Sequence, residues 1–172
     1  MNNNFSYNKD KAIAAIIFVL REMDGTVGFH KLAKILYFAD QKHLLEFGRP
    51  IIGDTYQAME YGPVPHSTYN LAKNETHSQF SKHGTHILLL EEYDDEVFEE
   101  LSETDMEFLS ESVIENKDLT FQQLVDKSHK YAWTKNEGQF MDILDIAKEA
   151  GADENMLKYI SQNIENQTFA VQ

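Results

Sequence analysis

Apolar residues recur at helical spacing near the start of the chain, with Ile13, Ile16, Ile17, Leu20 and Met23 on one stripe. This predicts a first helix over about Lys9 to Met23, stopped by Asp24-Gly25. A second helix is predicted from about Gly28 to Phe47. Its broad apolar stripe is formed by Leu32, Ile35, Leu36, Ala39, His43, Leu44 and Phe47, and Gly48 suits its C-terminal cap. Lys31, Lys34, Asp40, Gln41 and Lys42 fall mainly on the other, polar face. Ile51 to Asp54 reads as a turn after Pro50. Thr55 to Tyr61 alternates in character and predicts a short strand. Gly62-Pro63 should end it, because proline lacks an amide donor and restricts the residue before it. Pro65 then suits the first turn of a short helix reaching about Lys73.

Asn74 to Gly84 is polar and reads as a loop. His86 to Leu90 predicts a buried strand, with Val97 and Phe98 returning as its hairpin partner around Asp94-Asp95. Ser102-x-x-Asp105 and Thr120-x-x-Gln123 match capping boxes, so helices should open there and run over about 103–116 and 121–130. Asp142 can start a further helix closed by Gly151, and Asp153 can cap a last one through about Asn166. No internal repeat, low-complexity tract or long linker divides the chain. The expectation is one α+β domain over residues 1–172, mostly α-helical, with a small antiparallel sheet of two or three strands.

Composition narrows the function classes. The 172 residues are 42% hydrophobic and 12% aromatic, enough for one ordinary core. There is no cysteine, which excludes a disulfide framework, a thiolate nucleophile and a Cys-based zinc site. The N-terminal MNNNFSYNKDK lacks the apolar core of a secretory signal, and the longest apolar stretch, Ala12 to Leu20, is too short to span a bilayer. A soluble cytoplasmic protein without a membrane partner is expected. The net charge of −14 is unevenly placed: residues 1–90 carry +1 and residues 91–172 carry −15. Glu91-Glu92, Asp94-Asp95-Glu96 and Glu99-Glu100 form its densest run. Such a half repels phosphates, so it disfavours nucleic acid as a partner. It serves either as a solvated, solubilising face or as a field that steers a basic partner protein.

The candidate chemistry is sparse. His77, His83 and His86 are close in sequence, but their spacing matches no i, i+4 ligand pair and no cysteine completes a site, so they read as surface histidines. His43 lies on the apolar side of the second helix near Asp40, and reads as a histidine hydrogen-bonded to a carboxylate or carbonyl. His129 and Trp133 are four apart and share a face if the helix reaches that far, either as packing partners or as an interface anchor. No Walker loop, GxGxxG turn, GxSxG elbow or HExxH helix is present. No catalytic set, metal or cofactor is expected. Lys31, Lys34, Lys42 and Arg49, set against Asp40 and Glu46, leave a weak second reading: a small winged-helix-like DNA-binding regulator.

The order of motifs carries more. Lys31-Leu32-x-Lys34-Ile35-Leu36-Tyr37-Phe38-Ala39-Asp40 is followed by Gly48-Arg49-Pro50-Ile51 and then Ala58-x-x-Tyr61-Gly62-Pro63-Val64. Further on come Leu101-Ser102, Leu124 and Ser128-His129-x-x-Ala132-Trp133. This succession resembles the SocA-like antitoxin family, the Panacea domain, earlier catalogued as a domain of unknown function in phage-associated proteins. The likeness covers about Ile13 to Trp133, with 134–172 a more variable helical part. It implies a non-enzymatic antitoxin that neutralises a cognate toxin by direct contact, on a phage or mobile element. Many members begin with an added DNA-binding segment, which is not expected here because the first helix starts within about ten residues of Met1. The motif residues Lys31, Lys34, Tyr37, Asp40, Tyr61, Gly62, Pro63, Val64, His129 and Trp133 become the candidates for partner contact. The rigid Tyr61-Gly62-Pro63-Val64 break either touches the partner, losing little entropy on binding, or simply connects two elements.

Overall fold

The computed structural model describes residues 4–90 and 94–170. Helix α1 (Lys9–Glu22) starts at Asn8, whose side chain accepts from the Lys11 amide at 3.0 Å. It ends at Asp24 and Gly25, both at positive φ. A short strand β1 (Thr26–Gly28), unforeseen in the hydrophobic pattern, leads into helix α2 (Phe29–Phe47). Gly48 closes α2 in the left-handed region at φ 66°. Any side chain there would strike the Tyr159 ring, 2.4 Å from a Cβ.

The remaining elements are strands β2 (Tyr56–Met59) and β3 (Gly62–Pro65), helix α3 (His66–Asn74), and strands β4 (Phe80–His83) and β5 (His86–Leu89). A 3-10 segment (Asp95–Glu100) precedes helices α4 (Glu103–Asn116), α5 (Phe121–Ser128), α6 (Tyr131–Lys135), α7 (Ile143–Ala150) and α8 (Glu154–Ala170). The architecture is α+β and mostly helical. Among the described residues it has two small antiparallel sheets, one ordered β1-β5-β4 and one made of β2 and β3.

Both capping boxes form as expected, Ser102 with Asp105 and Thr120 with Gln123. Asp142 and Gly151 bound α7, and Asp153 accepts from the Met156 amide at the start of α8. Four expectations change. Gly62-Pro63 does not end strand structure but begins β3, which pairs with β2. The prolines fit because β2 bonds outward at the opposite positions. Ala58 exchanges hydrogen bonds with Gly138 and Gln139, and the Tyr56 carbonyl accepts from Met141. Pro63 and Pro65, facing Ala58 and Tyr56, therefore forfeit no ladder bond. Within the supposed loop 74–84, Phe80–His83 forms β4 and supplies β5 with its hairpin partner through Gly84 and Thr85. Val97 and Phe98 accordingly lie in the 3-10 segment, where Phe98 packs edge-on against Phe18. Glu91 and Glu92 of the acidic run lie outside the described residues. The last helix extends to Ala170 rather than Asn166.

The fourth change concerns α2, twelve of whose nineteen residues are buried. Leu32, Ile35, Leu36 and Ala39 join α1, Ile87, Leu109 and Val113 in one core. Tyr37, Phe38 and Leu44 join Tyr56, Leu124, Met141, Ile146 and Ile160 in another. A helix lying between two cores keeps only a narrow polar face, so Lys31, Gln41 and Lys42 stay partly exposed while Lys34 and Asp40 are buried rather than solvated. Asp40 takes 2.7 Å and 2.6 Å hydrogen bonds from the Ile51 amide and the Tyr56 hydroxyl. Burial nevertheless raises its carboxyl to about 6, against the lowering effect of these donors.

Between about pH 4 and 6 the folded state therefore holds a proton at Asp40 that the unfolded chain has released. The Asp40 contribution to stability is present at low pH and is lost as pH rises through about 6. Asp40→Asn should remove this component from urea-unfolding free energies measured across that window. Asp40→Ala should lower stability by about 2–4 kcal/mol at neutral pH, because it strands two buried donors.

Candidate functional site

Glu60 and Tyr61 form the turn of the β2–β3 hairpin, which lies across α2 with α3 and α5 beside it. Between these elements opens a cleft of about 390 Å³. Its apolar wall is made by Met59, Tyr61, Tyr69 and Phe121, and its polar groups include His30, Lys34, His66 and Asn70. Phe121 stacks obliquely on His30 with centroids 4.2 Å apart, and its ring edge meets Tyr61 at 5.3 Å. The hairpin tip is also held from below, where His30 Nε2 donates to the Tyr61 carbonyl at 3.1 Å.

Lys34 lies at the floor of this cleft with no exposed surface. Its ammonium donates to the Pro63 carbonyl at 3.0 Å and forms no ion pair among the described residues. Burial pulls its pKa down to about 7. Two imidazoles feel the same charge. His30 is lowered to about 4 by burial and then by Lys34, and His129 is lowered by the same two causes in the same order. The His129 Nε2 is buried and has no hydrogen-bond partner among the described residues.

Gly62 is what lets Lys34 approach the strand. It stands at φ 105°, and a Cβ there would lie 2.6 Å from Lys34 Cε and 2.4 Å from Ser128 Oγ. The same turn of chain brings in the His/Trp pair. Helix α5 stops at Ser128 rather than Lys130, and α6 begins after a break, so His129 and Trp133 do not share one helix. Two long-range bonds hold the break. Glu149 accepts from the Ala132 amide at 2.7 Å, and Trp133 Nε1 donates to the Met59 carbonyl at 2.8 Å. The two rings still stack, 3.7 Å apart and within 7° of parallel.

Of the ten candidate residues, seven gather here: Lys34, Tyr61, Gly62, Pro63, Val64, His129 and Trp133. Tyr37 and Asp40 serve the adjoining core, where the Tyr37 hydroxyl donates to Glu149 at 3.1 Å and its ring packs on Tyr56. Lys31 turns away and donates to the Lys117 carbonyl. The pattern reading missed His30, His66, Tyr69 and Phe121. His30 carried a usable signal, since it precedes Lys34 by four residues on the same helix.

The basic segment read as a possible DNA contact is otherwise engaged. Lys42 pairs with Glu111 and Glu115, Arg49 with Asp105, and Lys34 is buried. His43 is a core histidine: its Nδ1 donates to the Arg49 carbonyl at 2.8 Å, and its Nε2 lies 3.2 Å from Asp105. The carboxylate beside it is thus Asp105 rather than Asp40. No helix among the described residues is long and apolar enough to cross a membrane.

A family model described as antitoxin SocA-like, Panacea domain, matches residues 32–134. That span runs from the first turn of α2 through the hairpin to just past the His/Trp pair. No curated protein and no solved structure matches the chain.

Between about pH 7 and 10 the unfolded chain binds a proton at Lys34 that the folded state has given up. The Lys34 contribution to stability therefore rises with pH across that window, and Lys34→Met should abolish the rise in denaturant titrations. Gly62→Ala should destabilise the fold by more than about 1 kcal/mol, because its backbone angle and its contacts both exclude a methyl group.

Proposed function

The chain belongs to the SocA-like antitoxin family, whose Panacea domain spans residues 32–134, and from that premise we propose that it is the antitoxin of a toxin–antitoxin pair. It neutralises a cognate toxin by direct protein–protein contact, with no covalent step of its own. The family match is the observation that carries this reading, because it includes the helix, the hairpin and the His/Trp pair together. The cytoplasm is the compartment proposed, in keeping with a chain that has no cysteine.

The proposed contact face is the hairpin tip and its surroundings. Met59, Tyr61, Phe121 and Phe140 are 46%, 52%, 49% and 53% exposed, a group of large apolar side chains open to solvent on and around the hairpin. The aromatic members are the residue type that dominates binding energy at interfaces. The hairpin backbone at Met59, Tyr61 and Pro63 is already held by Trp133, His30 and Lys34, so little conformational freedom is lost there when a partner docks. The acidic surface of the 3-10 segment and α4 supplies the complementary long-range field for a basic toxin.

Co-expression with the adjacent small reading frame should restore growth and yield a co-purifying complex. A frame that is harmless alone, with no other toxin bound, would sink the proposal. Tyr61→Ala should weaken the complex at least tenfold, about 1.4 kcal/mol, while leaving the circular dichroism spectrum unchanged. Calorimetry on the purified pair measures the first quantity directly.

A further inference from the structure

A buried ammonium with one neutral acceptor is an incomplete arrangement. Lys34 has three N–H donors, and its hydrogen bond among the described residues goes to the Pro63 carbonyl. A single carbonyl bond does not offset the desolvation of a full charge. If tying β3 to α2 were the whole task, a neutral donor would serve it at less cost. The groups around the ammonium add no countercharge: His30 and His129 are bases, and Ser128 Oγ is already bonded to the Val125 carbonyl. Glu60 lines the same cleft, but its side chain is exposed to water at the rim. The empty space adjoining Lys34 is walled by Met59, Tyr61, Tyr69 and Phe121, with His66 and Asn70 at the side.

We propose that this cleft is a binding site for an organic carboxylate, whose anionic end lies at the floor over Gly62, drawn by the charge of the Lys34 ammonium buried directly beneath, while its apolar body lies against Tyr61, Tyr69 and Phe121. The chemical class follows from the lining. One cation matches one negative charge, so a phosphate dianion would be left under-neutralised. An aromatic wall favours a flat or aliphatic body over a hydrated inorganic ion. The Asn70 amide and the His66 ring can orient the second carboxylate oxygen. The carboxylate is either that of a free organic acid or that of an acidic side chain carried by a protein bound at the hairpin. The chemistry at Lys34 is the same for both. The site exists in the chain by itself, so it stands or falls without the antitoxin reading.

The probe is benzoate, with benzamide as its uncharged counterpart of the same shape. Each is titrated into the isotopically labelled full chain at about pH 6, where Lys34 keeps its proton. Benzoate should give saturable amide shifts confined to His30, Gly62, Asn70 and their neighbours, and benzamide should bind at least roughly tenfold more weakly. Lys34→Met should remove the benzoate response. Equal binding of the two probes, or no saturable shift up to tens of millimolar benzoate, would overturn the proposal. The wild-type comparison decides the matter even if the variant fails to fold. Repeating the titration on the complex with a bound protein partner separates the two sources. Exclusion of benzoate there assigns the site to a partner's side chain, and retained binding assigns it to a free acid.

Discussion

Helix α2 lies between two hydrophobic cores, and the chain must satisfy every polar group that this helix carries inward. Two of them, Asp40 and Lys34, act on the same hairpin from opposite ends. Asp40 receives the Tyr56 hydroxyl at the base of β2, and Lys34 reaches the Pro63 carbonyl on β3. The hairpin is therefore placed on the helix by polar contacts as well as by packing. Apolar packing alone is non-directional and would tolerate small shifts of a four-residue strand pair. Directed bonds to a carboxylate and an ammonium do not.

The two contacts differ in quality. Asp40 has two short donors and an adjoining loop built around it, which offset part of the cost of its burial. Lys34 has one neutral acceptor and a cleft beside it. Asp105, another buried carboxylate close to α2, shows what completion looks like. It takes Lys11 at 2.6 Å and Arg49 at 3.3 Å, and its pKa is held below the ordinary value despite the opposing effect of burial. The imbalance at Lys34 is a local property of the hairpin region and does not extend to the whole protein.

Local signals in the sequence were reliable wherever a short segment determines its own geometry. The capping boxes, the Gly48 and Gly151 ends and the long stripe of α1 all depend on residues within one or two turns. The errors arose where distant contacts decide. Strands β1 and β4 are three and four residues long and owe their existence to pairing with β5, which no local periodicity can announce. Gly62-Pro63 reads as a strand end, and Pro65 as the start of a helix, because the outward bonding of Ala58 and Tyr56 to residues 138–141 is not visible in the local sequence. Lys34 and Asp40 looked solvated because helical spacing reveals one buried face, whereas α2 is covered on two. Seven of the ten candidate residues nevertheless lie in or against the hairpin, and four of them line the cleft.

The distribution of charge and aromatic surface also bears on how such a hairpin would recognise a partner. The exposed acids of the 3-10 segment and α4 occupy segments distinct from those that build the cleft. Charges at that distance act mainly on encounter, raising association rates in a way that salt suppresses. On the proposed contact face, Tyr61 and Phe121 are the exposed aromatics, and desolvated aromatic area governs how long a complex lasts. A partner drawn by the acidic surface alone would dissociate readily in physiological salt. Durable binding requires the hairpin to keep its shape, and that shape rests on the buried groups of α2. A mutation deep in α2 should therefore act on dissociation even though it touches no partner, while a mutation on the acidic ridge acts on association.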